Sequence, residues 1–101
     1  MKVLLLTTWE NPKSVEGLKR YYDYLEKNSD HWAEVWKKYN VKQSGWTDGS
    51  GKMYSLEEFE SFGDYAKYSE DEELHKNWVR LFRLVNNVKI KVLRPGMSVP
   101  P

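Results

Sequence analysis

His75 is the side chain of this sequence best placed to move a proton. Asp71 lies four residues before it and Glu72 three, and on a helix either spacing sets a carboxylate beside the imidazole. Such a carboxylate orients the ring or raises its pKa, as a general base requires. His75 is therefore the candidate catalytic residue, and a solvated histidine in an acidic helix start is the plain alternative. His31 and Glu34 form a His-x-x-Glu pair that can put two ligands on one helix face. Only His75 is left to extend that pair, and there is no cysteine, so no metal site is expected.

Trp9, Trp46 and Tyr54 fall on presumed strands and are the candidate ligand-binding residues, able to stack on a planar apolar molecule. Core or dimer packing would use the same side chains. Lys89 and Lys91 alternate on the last strand. They either attract an anionic ligand or protect a sheet edge from pairing. Arg94 can clamp a carboxylate or join a surface ion pair. The loop Asp48–Lys52 has glycines but not the spacing of a phosphate loop, and reads as a hairpin turn. No Gly-x-Ser-x-Gly or other nucleophile–base pattern occurs.

These residues sit in a chain of 101, enough for one domain spanning residues 1–101 with one core. Sixteen basic and fifteen acidic side chains are interleaved, for a net charge of +1. That balance gives no general attraction to nucleic acid or anionic membrane. Without cysteine there are no disulfides, thiolate zinc sites or cysteine nucleophiles. The opening apolar run is too short for a secretory or membrane-spanning segment. A cytoplasmic protein is expected. Five tryptophans and seven tyrosines suit a core, a dimer interface or an aromatic-lined pocket.

The elements that must position the candidates follow from periodicity. Val3–Leu6 is an unbroken apolar run, the pattern of a strand buried on both faces, extended by Thr7, Thr8 and Trp9. Asn11-Pro12 ends it and suits a helix start. Leu18, Tyr22, Leu25, Trp32, Trp36 and Tyr39 then recur at helical spacing. A continuous helix there would be about 40 Å long. Asn28-Ser29-Asp30 offers a break and a new cap, so the spacing predicts a helix to about Lys27 and a short second one over Asp30–Tyr39. Gly17 weakens the first unless something packs closely there.

Val41–Asp48 and Lys52–Phe59 read as strands joined by the glycine turn. A helix from Ser55, with Ser55-Leu56-Glu57-Glu58 as a capping box, is the competing reading of the second. Ser61 can cap a short helix, Phe62–Tyr68. Ser69-Glu70-Asp71-Glu72 opens an amphipathic helix to about Asn87 whose apolar stripe is Leu74, Trp78, Leu81, Phe82 and Val85. Val88–Leu93 alternates as a closing strand, followed by the tail Met97–Pro101.

The order β-α-β-β-α-β is the ferredoxin-like α+β arrangement: a four-stranded antiparallel sheet with helices on one face. The other face would expose Leu4 and Leu6, and a second copy is the economical cover. At this point the chain resembles the dimeric α+β barrel superfamily. The resemblance lies in the opening VLLLTTW, in GWTDGSGKMYSLEEFES, in DYAKYSEDEELHKNW and in the ending IKVLRPG, which together cover most of the chain. It implies a homodimer with a cavity between sheet and helices that takes a small, partly apolar molecule. It also admits a cofactor-independent oxygenase or isomerase with His75 as proton shuttle, or a non-catalytic dimerisation module. Haem-degrading members use a helix histidine with an asparagine and a tryptophan. His75 matches only the first, so no haem role carries over and no cofactor is expected. The segment His31–Tyr39 is longer than a minimal member needs. The expected partners are a second copy of the chain and a small-molecule ligand, with no nucleic acid and no membrane.

Overall fold

In a computed structural model, which describes residues 2–96, the chain runs β1 (Val3–Glu10), α1 (Val15–Lys38), β2 (Lys42–Thr47), β3 (Lys52–Phe59), α2 (Phe62–Ser69), α3 (Glu72–Phe82) and β4 (Asn86–Leu93). The expected tail Met97–Pro101 lies outside the described residues. The four strands form one antiparallel sheet in the order β2-β3-β1-β4. β1 is central, as its unbroken apolar run requires, because neighbours flank it on both edges. Gly49 and Gly51 take positive φ in the β2–β3 turn, where a side chain would strain the backbone.

Alternation along β1 divides the sheet. Val3, Leu5, Thr7 and Trp9 are buried under the helices, while Leu4 and Leu6 on the other face are only half-buried. The covered face carries two apolar clusters. Val3, Leu5 and Phe59 pack on Trp32, Val35, Tyr68 and Leu74. Trp9 packs on Tyr21, Tyr24, Leu81 and Val85. Trp78, on α3, touches both.

Three sequence expectations change. The first helix does not break at Asn28-Ser29-Asp30: α1 is continuous over 24 residues, about 36 Å. Asn28 Nδ2 donates to the Tyr24 carbonyl at 2.8 Å and Ser29 Oγ to the Glu26 carbonyl, so the polar residues are satisfied within the helix instead of capping a new one. The buried stripe is also rotated from the expected one. Tyr21, Tyr24, Trp32 and Val35 point inward and Tyr22 outward. The inward tyrosines are fixed by their hydroxyls. Trp9 Nε1 donates to Tyr21 at 3.1 Å, Trp32 Nε1 to Tyr24 at 3.3 Å, and Tyr24 to the Asn77 carbonyl at 3.0 Å. Finally, α3 starts at Glu72 with Asp71 as its cap, and ends at Phe82 instead of running on to Asn87. Asn86 already belongs to β4 and Asn87 has positive φ.

The capping-box reading at Ser55 is excluded, since Ser55 is buried mid-strand opposite Thr7. Ser61 does cap α2, its Oγ accepting from the Asp64 amide at 3.1 Å. Gly17 has the close neighbour it needed, the ring of Pro12.

Candidate functional site

α2 and α3 lie on the covered face and leave a cavity of about 230 Å³ over the β1–β4 half of the sheet. Its floor is Leu5, Thr7 and Ile90, the last two facing each other across the β1–β4 register. Leu74, Trp78 and Phe82 on α3 form an apolar wall, because they recur at helical spacing on the face turned to the sheet. Trp78 and Phe82 lie 5.2 Å apart between ring centroids with their planes inclined by 32°, a continuous aromatic surface. Tyr68 closes the inner end from α2, and Asp71 and His75 stand toward the mouth. An apolar body with few convergent polar groups is the usual make-up of a small-molecule site.

Behind Tyr68, outside the cavity lining, lies a buried carboxylate. Glu57 is 0 % exposed and points to the covered face, next to Leu5 in the β1–β3 register. The Tyr68 hydroxyl donates to its Oε2, and Trp36 Nε1 donates to the same oxygen at 2.9 Å. Its Oε1 is buried with no hydrogen-bond partner among the described residues. Burial pushes the Glu57 carboxyl up from 4.5 to about 7, against the opposing pull of the Tyr68 and Trp36 hydrogen bonds. Burial, together with the negative charge of Glu57, pushes the Tyr68 phenol above the ordinary tyrosine range. Trp78 and Trp36 act in the opposite direction on Tyr68.

Asp71 holds the mouth. Its Oδ1 accepts from the Leu74 amide at 3.0 Å and so caps α3, while its Oδ2 accepts from the Tyr39 hydroxyl. The Tyr39 hydrogen bond, then the Leu74 amide, hold this carboxyl below the usual range, and Lys38 at 3.8 Å adds to the effect. Tyr39 in turn meets Tyr68 edge to face at 5.7 Å. The residues Asp71, Tyr39, Tyr68 and Glu57 thus form one contiguous polar and aromatic chain from mouth to sheet.

Of the residues singled out in the sequence, His75 lines the cavity but is exposed at its rim. Trp9 is buried in the second cluster, away from the cavity lining. Trp46 and Tyr54 are register partners on the opposite, open face of the sheet, with Trp46 63 % exposed. The three aromatics therefore do not meet. Lys89 and Lys91 point to the open face of the edge strand β4, opposite Thr8 and Leu6. His31 is exposed on α1, and among the described residues no three metal-ligating side chains gather. The sequence reading missed Glu57, Tyr68 and Trp36. The signal for Glu57 was present: neighbouring residues of a strand point to opposite faces, so Glu57 and Glu58 cannot both reach solvent from a sheet covered on one side.

No helix among the described residues is long and apolar enough to cross a membrane. No family model matches the chain, and no curated protein matches it in sequence. Solved structures match it over nearly its whole length. A presumed antibiotic biosynthesis monooxygenase from Deinococcus radiodurans shares 17% identity and a TM-score of 0.67, covering 100% of this chain and 98% of its own. A conserved protein from Methanosarcina mazei shares 10% identity and a TM-score of 0.72, covering 95% and 94%. SnoaB, a cofactor-independent oxygenase from Streptomyces nogalater, shares 6% identity and a TM-score of 0.62, covering 99% and 98%. Identities this low speak to architecture alone. The chain shares the ferredoxin-like α+β fold of these structures, with its four-stranded antiparallel sheet in the order β2-β3-β1-β4.

Proposed function

We propose that this protein binds a small, planar, largely apolar molecule in the cavity between the sheet and α2–α3. The observation that carries the reading is the cavity itself. It has a floor of Leu5, Ile90 and Thr7, an aromatic wall at Trp78 and Phe82, and further polar groups at Tyr68 and toward the mouth. The protein acts as a homodimer in the cytoplasm. The open sheet face is the contact between copies, and Trp46 and Tyr54 line the space between the facing sheets. The half-buried Leu4 and Leu6 in the middle of that face support a covering partner.

Native mass spectrometry of freshly purified protein, gentle and then denaturing, tests both parts. A dimer whose bound molecule leaves on denaturation is the expected result. The cavity is tested by Val79→Phe, which places a ring in its lining. Retention of the same molecule by this variant would move the site elsewhere.

A second reading is catalytic, a cofactor-independent oxygenase or isomerase with His75 as proton shuttle. The position of His75 on the cavity rim supports it, as does the fold shared with SnoaB. His75→Ala would then keep dimerisation and lose turnover of the co-purifying molecule. Unchanged turnover would remove His75 from the mechanism.

A further inference from the structure

A buried carboxylate with no cation beside it needs a reason. Among the described residues, no basic side chain pairs with Glu57. Its surroundings are Trp36 from α1, Tyr68 from α2, Gln43 from β2 and Leu5 from β1, with Tyr39, the C-cap of α1, packed behind Tyr68. Asp71 at the start of α3 is reached only through Tyr39. Every direct polar partner is a neutral donor, and both donors sit on one oxygen. A glutamine of the same shape would satisfy those bonds without a charge to desolvate, so the carboxylate is a costly choice for packing alone. Tyr68 joins Glu57 to the cavity: its hydroxyl bonds the carboxylate, and the residue lines the apolar chamber that Trp78 walls.

We propose that Tyr68 and Glu57 form a proton relay that removes a weakly acidic proton from a molecule held in the cavity, so that the site takes carbon or oxygen acids such as enolisable carbonyl compounds. The proposal rests on the proposed ligand cavity and names its chemistry. In the step, the proton of the bound acid passes to Tyr68 Oη as the Tyr68 hydroxyl proton passes to Glu57 Oε2. The electron pair stays on the ligand as an enolate or carbanion. Tyr68 ends as a neutral phenol and Glu57 as a neutral acid, so no charge is left on tyrosine. Return of the proton from Glu57 through Tyr68 to a different atom gives an isomer. No oxidant or reductant is consumed. Tyr68 is the catalytic residue, and Glu57, acting through it, is a positioning residue that stores the proton. A carboxyl that titrates near neutrality is matched to that task.

The probe is a nitrobenzisoxazole, a flat apolar ring whose single acidic C–H is removed by a base while its N–O bond breaks. The single product is a coloured nitrophenolate that carries the new nitrile on the same ring. Binding is read from quenching of tryptophan fluorescence, and turnover from the colour. The full-length wild-type protein is expected to bind the probe and to turn it over faster than buffer, with a rate that rises through one ionisation near pH 7. Glu57→Gln and Tyr68→Phe are each expected to keep binding and to lose on the order of a hundredfold in rate, the usual weight of a general base. Loss of the near-neutral ionisation in Glu57→Gln separates proton storage from mere support of Tyr68. Binding without turnover, or an unchanged rate in Glu57→Gln, would overturn the relay and leave the ligand cavity standing. Absence of binding in the wild type would overturn both. Should Glu57→Gln fail to fold, Tyr68→Phe and the wild-type pH profile decide.

Discussion

Glu57 and Leu5 are register partners on neighbouring strands, side by side under the helices, yet one is a carboxylate and the other an aliphatic floor of the cavity. The sheet thus sets an ionisable group one strand away from an apolar chamber, bridged by Tyr68. Desolvation dominates the ionisation of Glu57, because no cation among the described residues compensates it.

Stability is expected to fall as pH rises through the weakly acid range. The folded-state pKa of Glu57 is about 7 against 4.5, so between these values the folded protein holds the extra proton. This contribution is full below about pH 4.5, declines through pH 7 and is flat above it. The difference corresponds to about 3 kcal/mol as an order of magnitude. Urea unfolding across this range measures it. Glu57→Gln is expected to flatten the decline, and an undiminished slope in that variant would assign it to other groups.

Asp71 is expected to give the opposite slope. Its folded pKa is depressed by Tyr39, Leu74 and Lys38, so its contribution is present above the usual carboxylate pKa and lost as pH falls through the lower folded value. Asp71→Ala removes the cap of α3 and is expected to cost about 1 kcal/mol at neutral pH, while Asp71→Asn keeps a capping oxygen and costs less. Tyr39→Phe is expected to return the Asp71 pKa toward the ordinary range, readable by carboxylate NMR titration.

Gly17→Ala tests a close approach in the fold. Alanine is the better helix former by about 1 kcal/mol. At this position, however, a Cβ would come within 2.8 Å of Pro12 Cβ and of Ser14 Oγ, which accepts from the Gly17 amide and caps α1. Pro12 has a rigid ring and Ser14 is held by its cap, so neither yields cheaply. The expected outcome is a net loss of about 1 kcal/mol or more, measured by thermal unfolding. A gain would mean that the loop before α1 moves freely.

The strand order was legible because its signals are local. The apolar run Val3–Leu6 marks a central strand, the glycines of Asp48–Lys52 mark a hairpin, and Val88–Leu93 alternates. The phase of α1 was not legible, because it depends on long-range bonds. Tyr21 and Tyr24 bury their rings only because Trp9, Trp32 and the Asn77 carbonyl engage their hydroxyls. With Asn28 on the same stripe, Tyr21, Tyr24, Asn28, Trp32, Val35 and Tyr39 run at spacings of three and four. A polar member hid that pattern. His75 was singled out by its spacing to Asp71 and Glu72, and it lies exposed at the cavity rim. The alternation of β3 sends one of Glu57 and Glu58 under the helices, but the pairing of Glu57 with Tyr68 joins β3 to α2 and leaves no local mark in the sequence.

The open face supplies the last test. Three rows cross it: Lys42, Glu58, Leu4 and Leu93; then Ser44, Leu56, Leu6 and Lys91; then Trp46, Tyr54, Thr8 and Lys89. Its middle is apolar at Leu6 and Leu56, with Lys42 on β2, Glu58 on β3, and Lys89 and Lys91 on β4 around it. That layout suits a two-fold contact in which each copy presents the same patch. Leu6→Asp puts a charge at the centre, on the side of β1 away from the helices, so the core beneath is untouched. Burying a leucine contributes about 1.5–3 kcal/mol, and the symmetry counts it twice. The expected result is a dissociation constant raised on the order of a hundredfold or more, with circular dichroism unchanged. Sedimentation analysis reads the first quantity. A wild-type protein that sediments as a monomer would refute the two-fold contact, and a Leu6→Asp variant that stays dimeric would move the interface to another surface.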